Sequence, residues 1–251
     1  MRKLDLLIAR IAKRRMVKSL HLQNIRQVEP SLVCSADDDA DCNDLLIKIS
    51  LAAITGAKET SLKSLVTEKE SLSDARYYDV FPGEHYRLLH SLSHTLAPSS
   101  IVEIGTFTGM SAAAILDGMP QTCKFTTFDI NSWREHQSHL SERDFQSGRI
   151  TQVLDDLSNP DTFDKYLDLF SNSQFIFCDA PKDGIFEHKF LANLSRIRPN
   201  SSCLLVLDDI RLLNMIDVWR SIASPKLDLT SFGHWSGTGL VDMSAGLKLK
   251  A

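Results

Sequence analysis

The segment Ser100–Pro120 constrains the fold more than any other part of the chain. A short apolar run, Ser100–Ile104, leads into a turn that contains Gly105 and Gly109, and an Ala-rich stretch follows. Glycine lets the backbone approach a ligand closely, and the first turn of a helix presents unpaired N–H groups. The segment therefore predicts a strand, a glycine turn and a helix capped by Thr108, with a site for a negative or polar group at the start of the helix.

Short apolar runs recur along the chain, and most of them end at an acidic residue. The runs are Ser100–Ile104, Lys124–Phe128, Ile150–Leu154, Phe175–Cys178 and Cys203–Leu207. The segments between them are long enough for helical crossovers, so the pattern predicts a Rossmann-like α/β fold with a mostly parallel sheet, preceded by a helix over Glu84–Leu96. The sequence also predicts an antiparallel hairpin that completes the sheet, formed by Lys226–Phe232 and Gly239–Met243.

Seven carboxylates belong to the carboxyl ends of the predicted strands. They are Glu103, Asp129, Asp155, Asp156, Asp179, Asp208 and Asp209. Ligands of open α/β sheets bind at this edge. The sequence therefore predicts the functional site there.

The chain before this pattern predicts a helical N-terminal extension over 1–80, followed by a catalytic domain over 81–251. Residues 1–27 predict an amphipathic basic helix that packs on the body of the protein or supports a homodimer, with a membrane surface as the alternative. Residues 28–43 are acidic and predict a solvated linker rather than a calcium loop. Asp44–Thr55 predicts a further helix that stops at Gly56.

The overall composition bounds the class of protein. With 43% hydrophobic residues among 251, the chain can build one α/β core, and its formal net charge of −4 gives no reason to expect nucleic acid as a partner. No apolar stretch reaches the roughly 20 residues that span a bilayer, and no signal-peptide pattern is present. The five cysteines form no C-x-x-C pair, so reduced thiols are expected. We therefore expect a cytoplasmic protein that acts on a small molecule.

The glycine spacing separates two classes of nucleotide cofactor. A dinucleotide site uses G-x-G-x-x-G so that a pyrophosphate can lie on the helix end, whereas this chain has E-x-G-x-x-x-G from Glu103 to Gly109. Asp129 ends the next predicted strand, where a carboxylate can accept hydrogen bonds from a ribose diol. The pattern favours S-adenosylmethionine, and an NAD(P)-dependent oxidoreductase is the more distant alternative.

From about Pro82 to Met243 the chain resembles the class I S-adenosylmethionine-dependent methyltransferases, in particular the catechol and caffeoyl-CoA type of small-molecule O-methyltransferase. The resemblance rests on VEIGTFTGMS at 102–111, FDI at 128–130, FIFCDAPKDG at 175–184 and LLVLDDI at 204–210. It implies S-adenosyl-L-methionine as the cofactor, with Asp129 on the ribose and both Asp155 and Asp156 near the adenine. Contacts to the methionine moiety are implied for Glu103, Gly105, Thr106, Gly109 and Ser111.

The resemblance also implies a divalent metal site. Members of this family bind the ion with an Asp in an FxDAxK segment and an Asp-Asn pair after the next strand, and the Lys acts on the substrate hydroxyl. Asp179 and Lys182 match this spacing and are the implied catalytic residues, whereas Asp208 and Asp209 replace the Asp-Asn pair. We expect Asp179, Asp208 and Asp209 to hold Mg²⁺ or another divalent cation. The alternative is that one of these carboxylates acts as a general base.

Other residues complete the prediction for the site. Lys182 would otherwise be solvated or paired with Asp183, and His234 with Trp235 at the tip of the hairpin is expected to contact the acceptor. His85, His90 and His94 do not share one helical face and predict no zinc site. The sequence thus favours methyl transfer to a hydroxyl of a small molecule. A metal-independent N- or sugar O-methyltransferase, with Asp209 or His234 as the base, is the alternative.

Overall fold

A computed structural model describes residues 42–81 and 85–250 of the 251-residue chain. Its strands are β1 (Ser100–Ile104), β2 (Lys124–Asp129), β3 (Ile150–Leu154), β4 (Phe175–Cys178), β5 (Leu204–Asp208), β6 (Lys226–Asp228) and β7 (Thr238–Asp242). Within the described residues they form one seven-stranded sheet in the order β3-β2-β1-β4-β5-β7-β6. The first five strands pair in parallel, and β7 runs antiparallel to both β5 and β6. The predicted Rossmann-like fold with an antiparallel C-terminal pair is confirmed.

Helices cover both faces of the sheet. They are α1 (Asp44–Glu59), α2 (Lys63–Glu68), α3 (Tyr86–Leu96), α4 (Met110–Gly118), α5 (Glu142–Gln146), α6 (Pro160–Phe163), α7 (Leu167–Asn172), α8 (Ile185–Leu194) and α9 (Met215–Ser221). Successive residues of a strand point to opposite faces, so Ile101 and Val102 of β1 enter two separate apolar clusters. The first cluster contains α1 to α4 and the second contains α6 to α9. Both faces are buried, which explains why the strands are continuous apolar runs.

The described part of the N-terminal extension packs against the sheet. Leu46 and Ala53 of α1 are buried in the same cluster as Leu88 and Leu89 of α3. Asn43 caps α1, and its side-chain amide donates a 2.7 Å hydrogen bond to Asp242 at the end of β7. The predicted basic helix over 1–27 and most of the acidic linker lie outside the described residues. The division between 1–80 and 81–251 stays a prediction.

Three predicted helix boundaries differ from the structure. Helix α1 continues past Gly56 to Glu59, because Gly56 is the point where α1 touches α3: a Cβ there would lie 2.2 Å from Ser91 Oγ. The predicted stop at Gly56 is therefore wrong. Gly109, not Thr108, occupies the N-cap position of α4 and makes no side-chain cap. Helix α3 begins at Tyr86, and Glu84 lies outside the described residues.

The glycine turn joins the ends of three strands. Gly105 N donates to the Phe128 carbonyl at 2.8 Å, and Asp179 N donates to the Ile104 carbonyl at 2.8 Å. Gly105 has φ +99°, and a Cβ at this position would lie 2.0 Å from the Asp179 carbonyl oxygen. Only glycine allows β1, β2 and β4 to converge this closely.

The described helices include none that is both long and apolar enough to cross a membrane. The four cysteines that the structure describes, Cys42, Cys123, Cys178 and Cys203, are free thiols.

Gly105→Ala should destabilise the protein by several kcal/mol. Left-handed backbone alone costs an L-residue about 1–2 kcal/mol, and the collision with Asp179 adds to this. Gly148→Ala is the matched control, since Gly148 has φ +66° but no atom within 4 Å of its added Cβ. Urea unfolding of both variants measures the difference. Equal losses of unfolding free energy would contradict the close approach at Gly105.

Candidate functional site

A cleft of about 610 Å³ opens at the carboxyl edge of the sheet. It lies where the strand order reverses, since β2 and β3 extend from one side of β1 and β4 and β5 extend from the other. Ligands of open α/β sheets bind at this reversal, and the volume falls within the roughly 300–1,000 Å³ of small-molecule sites. The cleft is lined by Gly105, Asp129, Asp155, Asp156, Asp179 and Lys182, among others.

Asp129 is held in a fixed orientation at the end of β2. Its Oδ2 accepts a hydrogen bond from Phe107 N at 2.9 Å, and its Oδ1 accepts one from Asn131 N at 2.9 Å. Phe107 reaches this position with φ +41°, a left-handed conformation that is unusual for a bulky residue. An ionised carboxylate can accept about four hydrogen bonds, so Asp129 retains capacity for a ligand diol.

The β3 side of the cleft combines two carboxylates with apolar surface. Asp155 accepts a hydrogen bond from the Tyr166 hydroxyl, and Asp156 accepts one from Ser158 N at 2.9 Å. Ile130 and Phe186 line the same space, and 70% of Ile130 is exposed. This end of the cleft can bind a flat ring with polar edges.

The residues of the glycine turn lie at different depths. Of the five predicted to contact the methionine moiety, only Gly105 lines the cleft. Glu103 is fully buried, and its carboxylate accepts 2.6 Å hydrogen bonds from Ser111 Oγ and Thr127 Oγ1. Thr106 Oγ1 lies 2.7 Å from Thr127 Oγ1 in the same network. Burial raises the pKa of Glu103 to about 7, although the two hydroxyl groups partly oppose this.

Three carboxylates meet where β4 and β5 end. Asp179, Asp208 and Asp209 each offer an oxygen, and these oxygens lie within 4.8 Å of one another. The Lys182 ammonium contacts Asp179 and lies 3.2 Å from Asp209 Oδ2. Lys182 and Asp209 have φ values of +64° and +57°. Left-handed non-glycine residues often mark functional sites, so the backbone supports the predicted role of this cluster.

Lys182 does not form the alternative ion pair with Asp183. Asp183 instead accepts hydrogen bonds from Ile185 N and Phe186 N at the start of α8. Lys182 thus remains directed at the acidic cluster.

Two histidines join the same cluster. His85 Nδ1 lies 3.0 Å from Asp208 Oδ1, and both residues are buried. His234 Nδ1 lies 3.2 Å from Asp209 Oδ1, and the Ser236 hydroxyl contacts both His234 and Asp209. His85 and Ser236 were not predicted as site residues. His85 pairs with a residue 123 positions away, and no local spacing could reveal that contact.

The remaining candidates are placed as follows. His90 lies 3.3 Å from Asp117, whereas His85 lies beside Asp208, so these two histidines have different surroundings. Trp235 is 66% exposed and its ring centroid lies 5.7 Å from that of His234. This position suits the predicted contact with an acceptor.

Asp209 remains ionised despite its burial. Burial raises the pKa of its carboxyl, but the hydrogen bond to His234, the charge of Lys182 and the Ser236 hydroxyl outweigh it. The pKa of Asp209 is consequently below its ordinary range. The cluster therefore keeps a negative charge that can bind a cation.

The comparison with solved structures decides the fold family. No family model and no curated protein sequence matches this chain. A methyltransferase from Geobacter sulfurreducens superposes with a TM-score of 0.50 at 15% identity, over 76% of this chain and 92% of that one. The chain has the class I methyltransferase fold.

Two further solved structures align with this methyltransferase fold. A putative caffeoyl-CoA O-methyltransferase from Staphylococcus aureus aligns with a TM-score of 0.48 and 13% identity, over 78% of this chain and 99% of that one. The SAH-bound Podospora anserina methyltransferase PaMTH1 aligns with a TM-score of 0.46 and 18% identity, over 87% of this chain and 100% of that one.

Glu103 should make stability depend on pH in a defined window. The folded protein binds the proton of the Glu103 carboxyl group more tightly than the unfolded chain does. Protonation of Glu103 therefore stabilises the folded state fully below pH 4.5, and this stabilisation is lost as the pH rises to about 7. The unfolding free energy should fall by up to about 1.4 kcal/mol per pH unit in this interval. Glu103→Gln should remove this decline, whereas Glu70→Gln, at an exposed position, should leave it unchanged. Chemical denaturation between pH 5 and pH 8 measures this, and identical slopes for wild type and Glu103→Gln would contradict it.

Proposed function

We propose that the protein is an S-adenosylmethionine-dependent methyltransferase that transfers a methyl group to a hydroxyl of a small molecule, with the help of a divalent cation. The observation that carries the proposal is the Asp129 carboxylate. It is fixed by two backbone N–H groups and lines the cleft at the strand reversal of a methyltransferase fold.

The residues around the cleft suit the parts of this cofactor. Asp129 would accept hydrogen bonds from the ribose diol, because a carboxylate held by the backbone loses little entropy on binding. Ile130 and Phe186 would cover the adenine, with Asp155 and Asp156 near its polar edge. The methionine moiety would lie over the glycine turn and the start of α4, close to Gly105, Thr106, Gly109, Ser111 and the buried Glu103.

The acidic cluster suits a divalent cation. Asp179, Asp208 and Asp209 provide the oxygen ligands that Mg²⁺ and similar ions prefer, at separations that one ion can bridge. When bound, such an ion would stabilise the oxyanion of the acceptor as a Lewis acid. The cluster lies beside the cofactor cleft, since Asp179 and Lys182 line both.

Positioning and proton transfer are the tasks of the protein. The cofactor supplies a methyl group that is already electrophilic, so the enzyme must align the acceptor oxygen and remove its proton. Lys182 Nζ lies between Asp179 and Asp209, which fix its direction. We assign it the role of orienting the acceptor hydroxyl and, once the ammonium has released its own proton to solvent, receiving the hydroxyl proton, with His234 and Trp235 holding the rest of the acceptor.

One structural observation favours a metal-independent rival. The hydrogen bond between His234 and Asp209 is also the arrangement of a general base and the carboxylate that orients it. The two mechanisms differ in their response to exhaustive chelation. Metal-assisted transfer is lost on treatment with EDTA and restored by a divalent salt, whereas full activity after metal removal would favour the rival.

Asp129→Asn should weaken binding of S-adenosylhomocysteine by about 10- to 100-fold, since a hydrogen bond to a charged group contributes about 1.5–3 kcal/mol. The change keeps the size of the side chain but removes its charge and one acceptor. Isothermal titration calorimetry measures the affinity, and Asp168→Asn on the exposed face of α7 is the control. Unchanged affinity in Asp129→Asn would refute the assignment of the ribose site.

Lys182→Met should lower kcat for methyl transfer by about 10²- to 10⁴-fold, which is the usual contribution of an acid–base group. Affinity for S-adenosylhomocysteine should change little, because the assigned role concerns the acceptor. Transfer of labelled methyl from S-adenosylmethionine to 3,4-dihydroxybenzoate, as a probe with adjacent hydroxyls, gives the rate. Lys189→Met, at an exposed position of α8, is the control. A wild-type kcat in Lys182→Met would exclude Lys182 from the reaction.

A further inference from the structure

Two histidines from distant parts of the chain reach the carboxylates at the ends of β4 and β5. His85 directly precedes α3, and His234 lies in the loop between β6 and β7. His85 Nδ1 is 3.0 Å from Asp208 Oδ1, and His234 Nδ1 is 3.2 Å from Asp209 Oδ1. The two imidazole rings are 5.1 Å apart. Both rings therefore direct a nitrogen at the same acidic cluster.

The ligand atoms form two sets that share Asp208. One set contains His85, Asp208 and His234, the other contains Asp179, Asp208 and Asp209, and in each set the atoms lie within 4.8 Å of one another. Two ligands at right angles on an ion with bonds of about 2.1 Å are about 3.0 Å apart, and two opposite ligands are about 4.2 Å apart. The separation of 3.0 Å between His85 Nδ1 and Asp208 Oδ1, which belong to the same set, suits adjacent ligands of one ion.

The residues around the site hold the His85 ring in place, and the acidic cluster carries a negative charge that has to be balanced. His85 and Asp208 are each only 3% exposed, and the His85 ring packs against Tyr86 at 4.7 Å and Phe177 at 5.9 Å. Two of the three carboxylates, Asp179 and Asp209, contact the Lys182 ammonium, and the third, Asp208, contacts His85. Buried charges are stable when they are paired or coordinate a metal, so a doubly charged cation would complete the balance.

The type of donor determines the type of ion. Mg²⁺ takes oxygen ligands and retains much of its water, whereas imidazole nitrogen suits first-row transition metals. We infer that His85 and His234 are ligands of the metal site, so that the protein binds a transition-metal ion such as Mn²⁺ or Co²⁺ through nitrogen and oxygen in preference to Mg²⁺. This inference rests on the metal-assisted function proposed above.

Pulsed electron paramagnetic resonance of the full-length protein loaded with Mn²⁺ tests the inference directly. Coordinated imidazole gives a nitrogen hyperfine coupling, which should change when the protein is produced with isotopically labelled histidine. This measurement requires no substitution. Wild-type protein that binds Mn²⁺ without a histidine nitrogen coupling would overturn the inference and leave the proposed function intact.

Substitution separates coordination from a purely positioning role. His234→Asn and His85→Asn should each lower the affinity for Co²⁺ by about 10- to 100-fold and the affinity for Mg²⁺ by less than about threefold. If the histidines only orient the carboxylates, both affinities should fall together, which would also overturn the inference. His90→Asn is the matched control, because this histidine lies on α3 but pairs with Asp117. His234 is partly exposed, so its variant tests the inference even if His85→Asn fails to fold.

The outcomes for the two proposals differ. Failure of Mn²⁺, Co²⁺ and Mg²⁺ to bind at all in calorimetry would remove both the inference and the metal-assisted mechanism. Binding of S-adenosylhomocysteine, measured on the same sample, would still report on the cofactor site.

Discussion

The close approach of Gly105 to the backbone of Asp179 determines the geometry of the whole site. A side chain at position 105 would begin 2.0 Å from the Asp179 carbonyl oxygen, so the ends of β1 and β4 meet only because it is absent. That contact brings Asp179 beside the glycine turn. The same glycine turn supplies the Phe107 N–H group that orients Asp129 at the end of β2. The cleft at the strand reversal and the acidic cluster are therefore neighbours because of one backbone contact.

Charge and backbone conformation act together at this edge of the sheet. Phe107, Lys182 and Asp209 all have positive φ, and each takes part in an interaction of the proposed site. Such conformations persist only where the surrounding structure compensates for them. The buried pair of His85 with Asp208 and the partly exposed pair of His234 with Asp209 supply part of that compensation. The proposed methyl transfer needs a rigid arrangement of this kind, because alignment of the reacting atoms provides much of the rate.

Local patterns predicted the elements of the fold but not the contacts between them. The predicted strands β1, β3 and β4 match the structure in both bounds, because a buried strand leaves a continuous apolar run between polar turns. The acids at the strand ends followed from the same pattern, and the structure places Asp129, Asp155, Asp156 and Asp179 around one cleft.

The errors arose where tertiary contacts decide the role of a residue. Gly56 looked like a helix stop, yet it is a point of close contact with Ser91. His85 was not predicted as a site residue, because only the fold brings it to Asp208, 123 positions away. The hydrogen bonds that the buried Glu103 carboxylate accepts from Ser111 and Thr127 also depend on tertiary contacts, and its contact with the cofactor stays a prediction.

A crystal structure with S-adenosylhomocysteine tests the central claim most directly. The proposed function requires both ribose hydroxyls to lie within hydrogen-bonding distance of the Asp129 carboxylate, with the sulfur directed toward Lys182 and Asp179. A cleft that stays empty at saturating ligand, or a ribose bound away from Asp129, would contradict it.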